Sequence, residues 1–407
     1  MTFGKPSRAI FLTIAAFAAL SPVSAEAAEG SRDLANALSV DAPSWEFDNT
    51  TIRLGGVAAG ALFSAHQSAG PGSASGYDNT SASSLVQANI QAQRIFDNGM
   101  VVGARSDFLL HHDAQSHDQY GNDTVEKIYA FAQTGFGRIE IGQQDGAADT
   151  LGLVGPVTNE QVTLENRGIS LFRDPVTGGD FGALFKPITA VQSTSNFAKI
   201  NYVSPRLLGI QIGASFTPKP VRTPLPFTGN LPSDPNQQQN IWEVAASYTG
   251  YFSNLALGLS AGLAQGSVRN RNAAGDDLSD WALGAQLAYP VGSVKLSLGG
   301  AYRDSNAYLL ELNQVLTQGR THASHLSVTA EWGSWIAGGE YSLANAKGPV
   351  DYDITGYQLS AGYKLNDNLQ VTGGWQWYDY SRNAGVFYNG STRLRMNAGF
   401  LLLSYEL

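Results

Sequence analysis

The chain has 407 residues, no cysteine, 45 glycines and a formal net charge of −9, with 43% hydrophobic but only 14% charged residues. So few charges beside so many Leu, Ala, Val, Tyr and Phe exclude a disordered chain, and an acidic balance without a basic patch excludes a nucleic-acid binder. Without cysteine there is neither a disulfide staple nor a thiolate metal site.

The first element in chain order is an address. Lys5 and Arg8 precede an apolar run, Ala9 to Leu20, which Ser21-Pro22 breaks before the small residues Val23-Ser24-Ala25. This is the pattern of a secretory signal peptide over residues 1–25, and the run is too short for a membrane anchor. Residues 26–48 form a polar lead-in with one short helical candidate around Leu34–Leu38, to which no role is assigned. Residues 49–407 hold everything else.

From residue 50 onward a period of two repeats. Leu208, Ile210, Ile212, Ala214 and Phe216 alternate with Gly209, Gln211, Gly213, Ser215 and Thr217; Trp281, Leu283, Ala285, Leu287 and Tyr289 alternate with Ala282, Gly284, Gln286 and Ala288. The uncharged stretch Val244–Val268 obeys the same rule, with Leu255, Leu257, Leu259 and Leu263 on one face of a strand and a turn at Tyr251–Asn254. Sixteen such segments are predicted, near 50–66, 83–96, 100–111, 123–134, 138–143, 196–204, 208–217, 239–249, 255–266, 278–290, 293–303, 321–333, 335–345, 353–365, 369–380 and 393–406. About ten residues is the length of a tilted strand that crosses a bilayer.

The connections alternate short and long. Tight turns such as Asp97-Asn-Gly99, Gly135-Phe-Gly137, Pro205-Arg-Leu207 and Asn366-Asp-Asn368 alternate with longer segments such as 67–82, 112–122, 218–238, 304–320 and 381–392. Trp242, Tyr248, Trp281, Tyr289, Tyr302, Trp332, Tyr357, Tyr363 and Trp375 fall near strand ends on the apolar face, where rings favour a headgroup boundary. These signals together predict an all-β fold: a transmembrane, antiparallel, up-and-down β-barrel of 16 strands with short turns on one rim and long loops on the other.

In hydrocarbon every backbone polar group needs an internal partner, so such a sheet must close. Its second face carries Gln87, Asn89, Gln91, Gln93, Arg105, Asp107, Lys199, Asn201, Gln211, Lys295, Glu331, Glu340 and Lys364. That face does not form an oily core, and sixteen strands leave a lumen too wide for side chains to fill. A polar, wide interior holds water. The segment between the fifth and sixth strands, about 144–195, exceeds ordinary loop lengths. It contains Asp145, Asp149, Glu160, Glu165, Asp174 and Asp180, with Arg167, Arg173 and Lys186, and is expected to fold into the lumen and narrow it.

At this point the sequence resembles the general porins of Gram-negative bacteria over about Asn49 to Leu407. The resemblance lies in Thr134-Gly-Phe-Gly-Arg-Ile-Glu-Ile-Gly-Gln143, in Asn201-Tyr-Val-Ser-Pro205 and in the terminal Leu401-Leu-Leu-Ser-Tyr-Glu-Leu407. It implies a homotrimer of barrels in the outer membrane, in contact with lipopolysaccharide and membrane lipids. The third long loop would fold inside each barrel, and Gly178-Gly-Asp-Phe-Gly182 resembles its acidic tip. The six acids of that loop would face wall cations, which parity assigns to Arg53, Arg105 and Lys199, with Arg138 beside them. There are two departures from the pattern. The chain ends in Leu407 where the family usually has Phe. Counting back from it also puts Arg393 and Arg395 outward, so that either a bulge shifts the phase or these arginines meet lipopolysaccharide phosphates.

Such a channel needs no catalysis and no cofactor: small hydrophilic solutes and ions cross down their gradients, and the acids suggest weak cation preference. Two other readings stay open. One is a solute-selective channel, for example for sugars, with aromatics lining the passage; the other is a surface β adhesin. His111, His112 and His117 with Asp113 and Asp118 read as a solvated loop rather than a metal site. The six prolines of 218–235 read as a stiff external loop.

Overall fold

The computed structural model describes residues 43–68, 77–112, 125–165, 172, 187–220, 238–268, 276–307, 319–347, 351–385 and 391–407. The signal peptide, the helical candidate at Leu34–Leu38, the loop tip 178–182 and the proline-rich 221–237 lie outside them, as do the side chains of the 111–118 histidine cluster.

Sixteen antiparallel strands run up and down in chain order: β2 (Thr50–Gln67), β3 (Tyr77–Ile95), β4 (Val101–His112), β5 (Val125–Thr134), β6 (Gly137–Gln144), β7 (Phe197–Val203), β8 (Ile210–Thr217), β9 (Gln239–Phe252), β10 (Leu255–Ser267), β11 (Ser279–Val291), β12 (Val294–Ser305), β13 (Arg320–Trp332), β14 (Trp335–Lys347), β15 (Tyr352–Lys364), β16 (Leu369–Arg382) and β17 (Arg393–Glu406). The last strand pairs with the first of these, Glu406 opposite Val57 through Met396 opposite Gln67, which closes the barrel. The period-two pattern placed most of these strands within three residues. β3 is the main exception: it begins at Tyr77 because the polar stretch before Ser83 still pairs with the upper end of β2.

A seventeenth strand, β1 (Ser44–Phe47), comes from the lead-in. It pairs with β2 from Phe47 opposite Thr50 to Ser44 opposite Arg53. The backbone hydrogen bonds along β2 explain it. Leu407 donates its N–H to Gly56 at 2.9 Å, and there β17 ends; Leu54 instead donates to Pro43 at 2.9 Å. β1 thus occupies the edge of β2 that the last strand leaves bare, which an exposed strand would otherwise offer for pairing.

Register separates the faces. Leu62, Ile139, Ile141, Ile212, Val244, Leu283, Leu359 and Leu401 are exposed on the outer face, while Gln91, Asn201, Gln211, Gln286, Thr329 and Gln358 are buried on the inner one. All seven tryptophans occupy outer positions. β16 and β17 pair without any shift, so no bulge corrects the phase of the last strand: Arg393 and Arg395 point outward and both bind Asp379.

One expectation needs correction. The inner wall is not polar all round. Phe63, Ile354, Tyr378, Leu394, Met396, Phe400 and Leu402 form a buried apolar patch on β2 and β15–β17. It is tolerated because protein covers it. Val162, Leu164 and Phe172 of the segment between β6 and β7 pack on it, with Phe172 edge-on to Tyr378 at 5.8 Å between centroids. Burying each such side chain is worth about 1.5–3 kcal/mol.

Candidate functional site

The lumen is shaped by the segment 145–196, whose described parts run along the inner wall. It starts with one helical turn, α1 (Ala147–Thr150). Glu243 on β9 accepts from the N–H of Ala148 at 3.0 Å and from the Thr194 hydroxyl, so one buried carboxylate holds both ends of the segment. Lys199 on β7 does the same with the opposite charge, donating to the carbonyls of Gln144 and Thr194 at 2.5 Å each. Ser195 donates to Asp149 at 3.1 Å.

The segment then crosses the wall strand by strand. Leu153 donates to Ser260 on β10 at 2.8 Å, and Gln286 on β11 donates to the Val154 carbonyl. Thr158 meets Ser360 on β15 at 2.5 Å. Asn159 donates to Ser404 at 2.9 Å, close to the rim that carries the short turns. From there the chain climbs. Gln358 donates to the Val162 carbonyl at 2.8 Å, Leu164 donates to Glu340 at 3.1 Å, and the Tyr378 hydroxyl donates to the Leu164 carbonyl at 3.1 Å. Glu165 accepts twice from Thr189, through its N–H at 3.1 Å and its hydroxyl at 2.5 Å, and lies 3.9 Å from His325.

The path has a sequence signal that parity alone did not reveal. At inner positions under the segment stand glycines. A Cβ on Gly284 would sit 2.0 Å from the Leu153 carbonyl oxygen, one on Gly299 2.8 Å from Pro156, and one on Gly338 3.0 Å from Thr158. At Gly284 the backbone of the segment, and at Gly299 and Gly338 its side chains, lie where an added carbon would be.

The described residues of the segment leave uncovered the start of β2 and most of the inner wall of β3–β6, which carries several of the inward charges. Arg105 binds Asp107 at 2.8 Å, Lys127 binds Asp145 at 2.5 Å and Arg138 binds Glu140 at 2.7 Å while stacking 3.7 Å over Phe131. Arg53 is exposed on the same wall, and in the register it faces Gln91, which in turn faces Arg105. Arg53, Arg105 and Arg138 therefore share one wall. Lys199 also faces inward, but it is 3% exposed under the inner segment and fastens it.

The loop acids do not form one cluster. Asp145 stands at the open wall, and Asp149 is buried at the base. Glu160 lines a 310 Å³ cavity at the short-turn mouth with Lys295, Glu331, Lys364 and Glu406. Glu165 serves the clamp on Thr189. Asp174 and Asp180 lie outside the described residues. Sequence reasoning left Lys127, Glu243 and His325 out of the site, although all three are inward by parity.

Water, small solutes and ions have a path in this geometry, along a charged wall inside a closed barrel. Two solved structures share the architecture. The anion-selective porin from Comamonas acidovorans has a TM-score of 0.54 and 12% identity over 88% of this chain and 100% of its own. A variant of the porin of Rh. blastica has a TM-score of 0.51 and 15% identity over the same shares. No curated protein matches. The model of the Gram-negative porin family matches residues 12–384. Together with the closed sixteen-strand barrel and its narrowed lumen, this places the chain in the Gram-negative porin family, as a channel of the outer membrane for passive diffusion.

Proposed function

We propose that the channel conducts small hydrophilic solutes and ions with only weak charge preference, for cations, and without a dedicated solute site. The observation that carries this reading is the pairing on the open wall: Arg105, Lys127 and Arg138 each lie against a carboxylate, so the field across the passage stays small. No tryptophan points into the lumen, and inward aromatics such as Tyr129, Phe131, Phe197 and Tyr378 are buried, so the described residues offer no aromatic platform on which a sugar would stack. Replacing Arg53 and Arg105 by Gln is expected to shift the cation-to-anion permeability ratio about twofold or more toward cations, read from the reversal potential in a salt gradient across a planar bilayer. An unchanged ratio would mean that the wall of β2–β6 does not line the passage.

The chain works as a homotrimer in this reading. Outer positions of β2–β6 carry no Trp or Tyr but Ala58, Gly60, Ser64, Ala88, Ala92 and Ser106, whereas β9–β16 bear the aromatic girdle. An apolar face of small and aliphatic residues, among them Leu62, Ile90 and Ile139, without headgroup anchors suits burial against a second copy. Ala92→Arg is expected to turn the detergent-resistant trimer into monomers on native gels. Residues 1–25 act as a signal peptide, so mass spectrometry of the outer-membrane protein is expected to find Glu26 first. The protein carries out no chemistry; its only work is passage.

A further inference from the structure

The rim of short turns carries two apolar patches that diffusion does not use. One lies on β1, where Trp45 and Phe47, 49% and 59% exposed, face outward opposite Ile52 and Thr50. The other lies on the turns that follow β5 and β7. Phe136 there is 87% exposed, Leu207 69% and Leu208 84%. Leu208 is also strained. Leu207 and Ile210 exchange backbone hydrogen bonds at 2.8 and 2.9 Å, so Leu208 and Gly209 form a two-residue hairpin turn, with φ of +53° and +83°. A left-handed backbone is crowded by a leucine side chain. In other turns of the rim the left-handed residues are Asp48, Ser253, Gly292 and Gly333, all small or polar. A leucine in this place, strained and in the open, marks a surface that something apolar covers.

The two patches flank the face of β2–β6 evenly. β4 is the middle strand of that face; β1 lies three strands to one side of it and β7 three strands to the other. In a ring of three copies each contact joins one flank of a barrel to the opposite flank of the next. With β4 nearest the axis, strands equally far from it come together. We propose that β1 of one copy closes over the turns after β5 and β7 of the next, so that Trp45 and Phe47 cover Phe136, Leu207 and Leu208. The inference rests on the homotrimer reading above, and it gives the lead-in strand a second role besides covering the edge of β2. Charge agrees with the contact. Asp48 is exposed in the turn after β1, and Arg206 stands beside Leu207; among the described residues neither is in an ion pair. A lipid surface fits worse, because both charges stand within the patches and would face it.

The chain has no cysteine, so an introduced disulfide reports the contact directly. The test uses the porin as purified from the outer membrane in mild detergent, carrying Phe47→Cys and Leu208→Cys together. Within one copy β1 and β7 are six strands apart, about 30 Å along the wall, whereas a disulfide needs Cα atoms within about 7 Å. Oxidation with copper phenanthroline is therefore expected to give covalent dimers and trimers on denaturing gels without reductant. Either single variant, and Phe47→Cys combined with Gly292→Cys across the rim, is expected to stay monomeric on those gels. Leu208→Asn suits the left-handed turn and removes the apolar tip. It is expected to leave the heat-modifiable migration of the barrel unchanged and to speed trimer dissociation in detergent by about tenfold or more. Native trimers that form no disulfide above the Gly292→Cys control, or that dissociate at the native rate with Leu208→Asn, would overturn the contact, leave the homotrimer standing and assign the cover of these turns to lipid. An unaltered protein that runs as a monomer on native gels would overturn the homotrimer, and the contact with it.

Discussion

Gly284→Leu is expected to widen the channel. Gly284 lies on the inner face of β11, and the Leu153 carbonyl oxygen occupies the place of its missing side chain, 2.0 Å from where a Cβ would be. Backbone cannot yield as the end of a flexible side chain does, so a leucine there must push the inner segment off the wall. Overpacking of this kind costs about 1–3 kcal/mol. The hydrogen bonds of Leu153 to Ser260 and of Gln286 to Val154 depend on that close approach and are lost with it, each worth about 0.5–1.5 kcal/mol. A sixteen-stranded barrel without its inner segment holds a wide aqueous lumen, so single-channel conductance should rise about twofold or more. Gly299→Leu, against Pro156, should act in the same direction. Gly373→Ala is the control: its nearest neighbours on the outer face are 3.7 Å away, and conductance should not change. If Gly284→Leu and Gly373→Ala conduct alike, the segment does not narrow the passage.

Glu243→Ala should release the same segment at its base. The carboxylate is 1% exposed and accepts from Ala148 near the start of the segment and from Thr194 near its end. Lys199, 3% exposed, holds the carbonyl of that same Thr194. Removing Glu243 leaves two buried donors unsatisfied and a buried ammonium beside them. Such a loss costs about 3–5 kcal/mol. The population with the segment undocked should therefore rise about a hundredfold or more, measured as the rate of protease cleavage within 145–196 in the detergent-solubilised porin. Glu243→Gln keeps one acceptor and removes the charge, so a smaller increase is expected. Cleavage at the native rate in Glu243→Ala would show that the two ends are held by other contacts.

The two variants act on opposite kinds of contact. At Gly284 the segment is seated by the absence of a side chain; at Glu243 it is held by a charge that would be costly to bury alone. Both are needed because the described residues of the inner segment have almost no secondary structure of their own to fix their course. Apart from α1, its described residues are held by side chains of β7–β17 and by bonds within the segment such as that of Thr189 to Glu165. The lumen is thus narrowed by a strand of chain that the wall itself positions.

The barrel was legible in the sequence. Strand faces follow from a period of two, which is a property of neighbours along the chain, so Gln211 and Ile212 declare their sides without any knowledge of the rest. Closure, the sorting of short turns and long loops, and the outward girdle follow from the same local pattern combined with the demands of hydrocarbon on backbone polar groups. Arg53, Arg105 and Arg138 were readable as inward cations for that reason. Other features were decided only by the folded chain. Lys199 and Asp149 are buried rather than open to the passage, Glu165 clamps Thr189, the inner wall of β15–β17 is apolar, and Ser44–Phe47 becomes a strand. Each depends on which residues meet across the lumen or around the closure. Asn159 finds Ser404 and Leu164 finds Glu340 across more than 170 positions of sequence. Alternation states which side a residue faces; it does not state what stands opposite, and that is what determines whether an inward charge lines water or lies under protein.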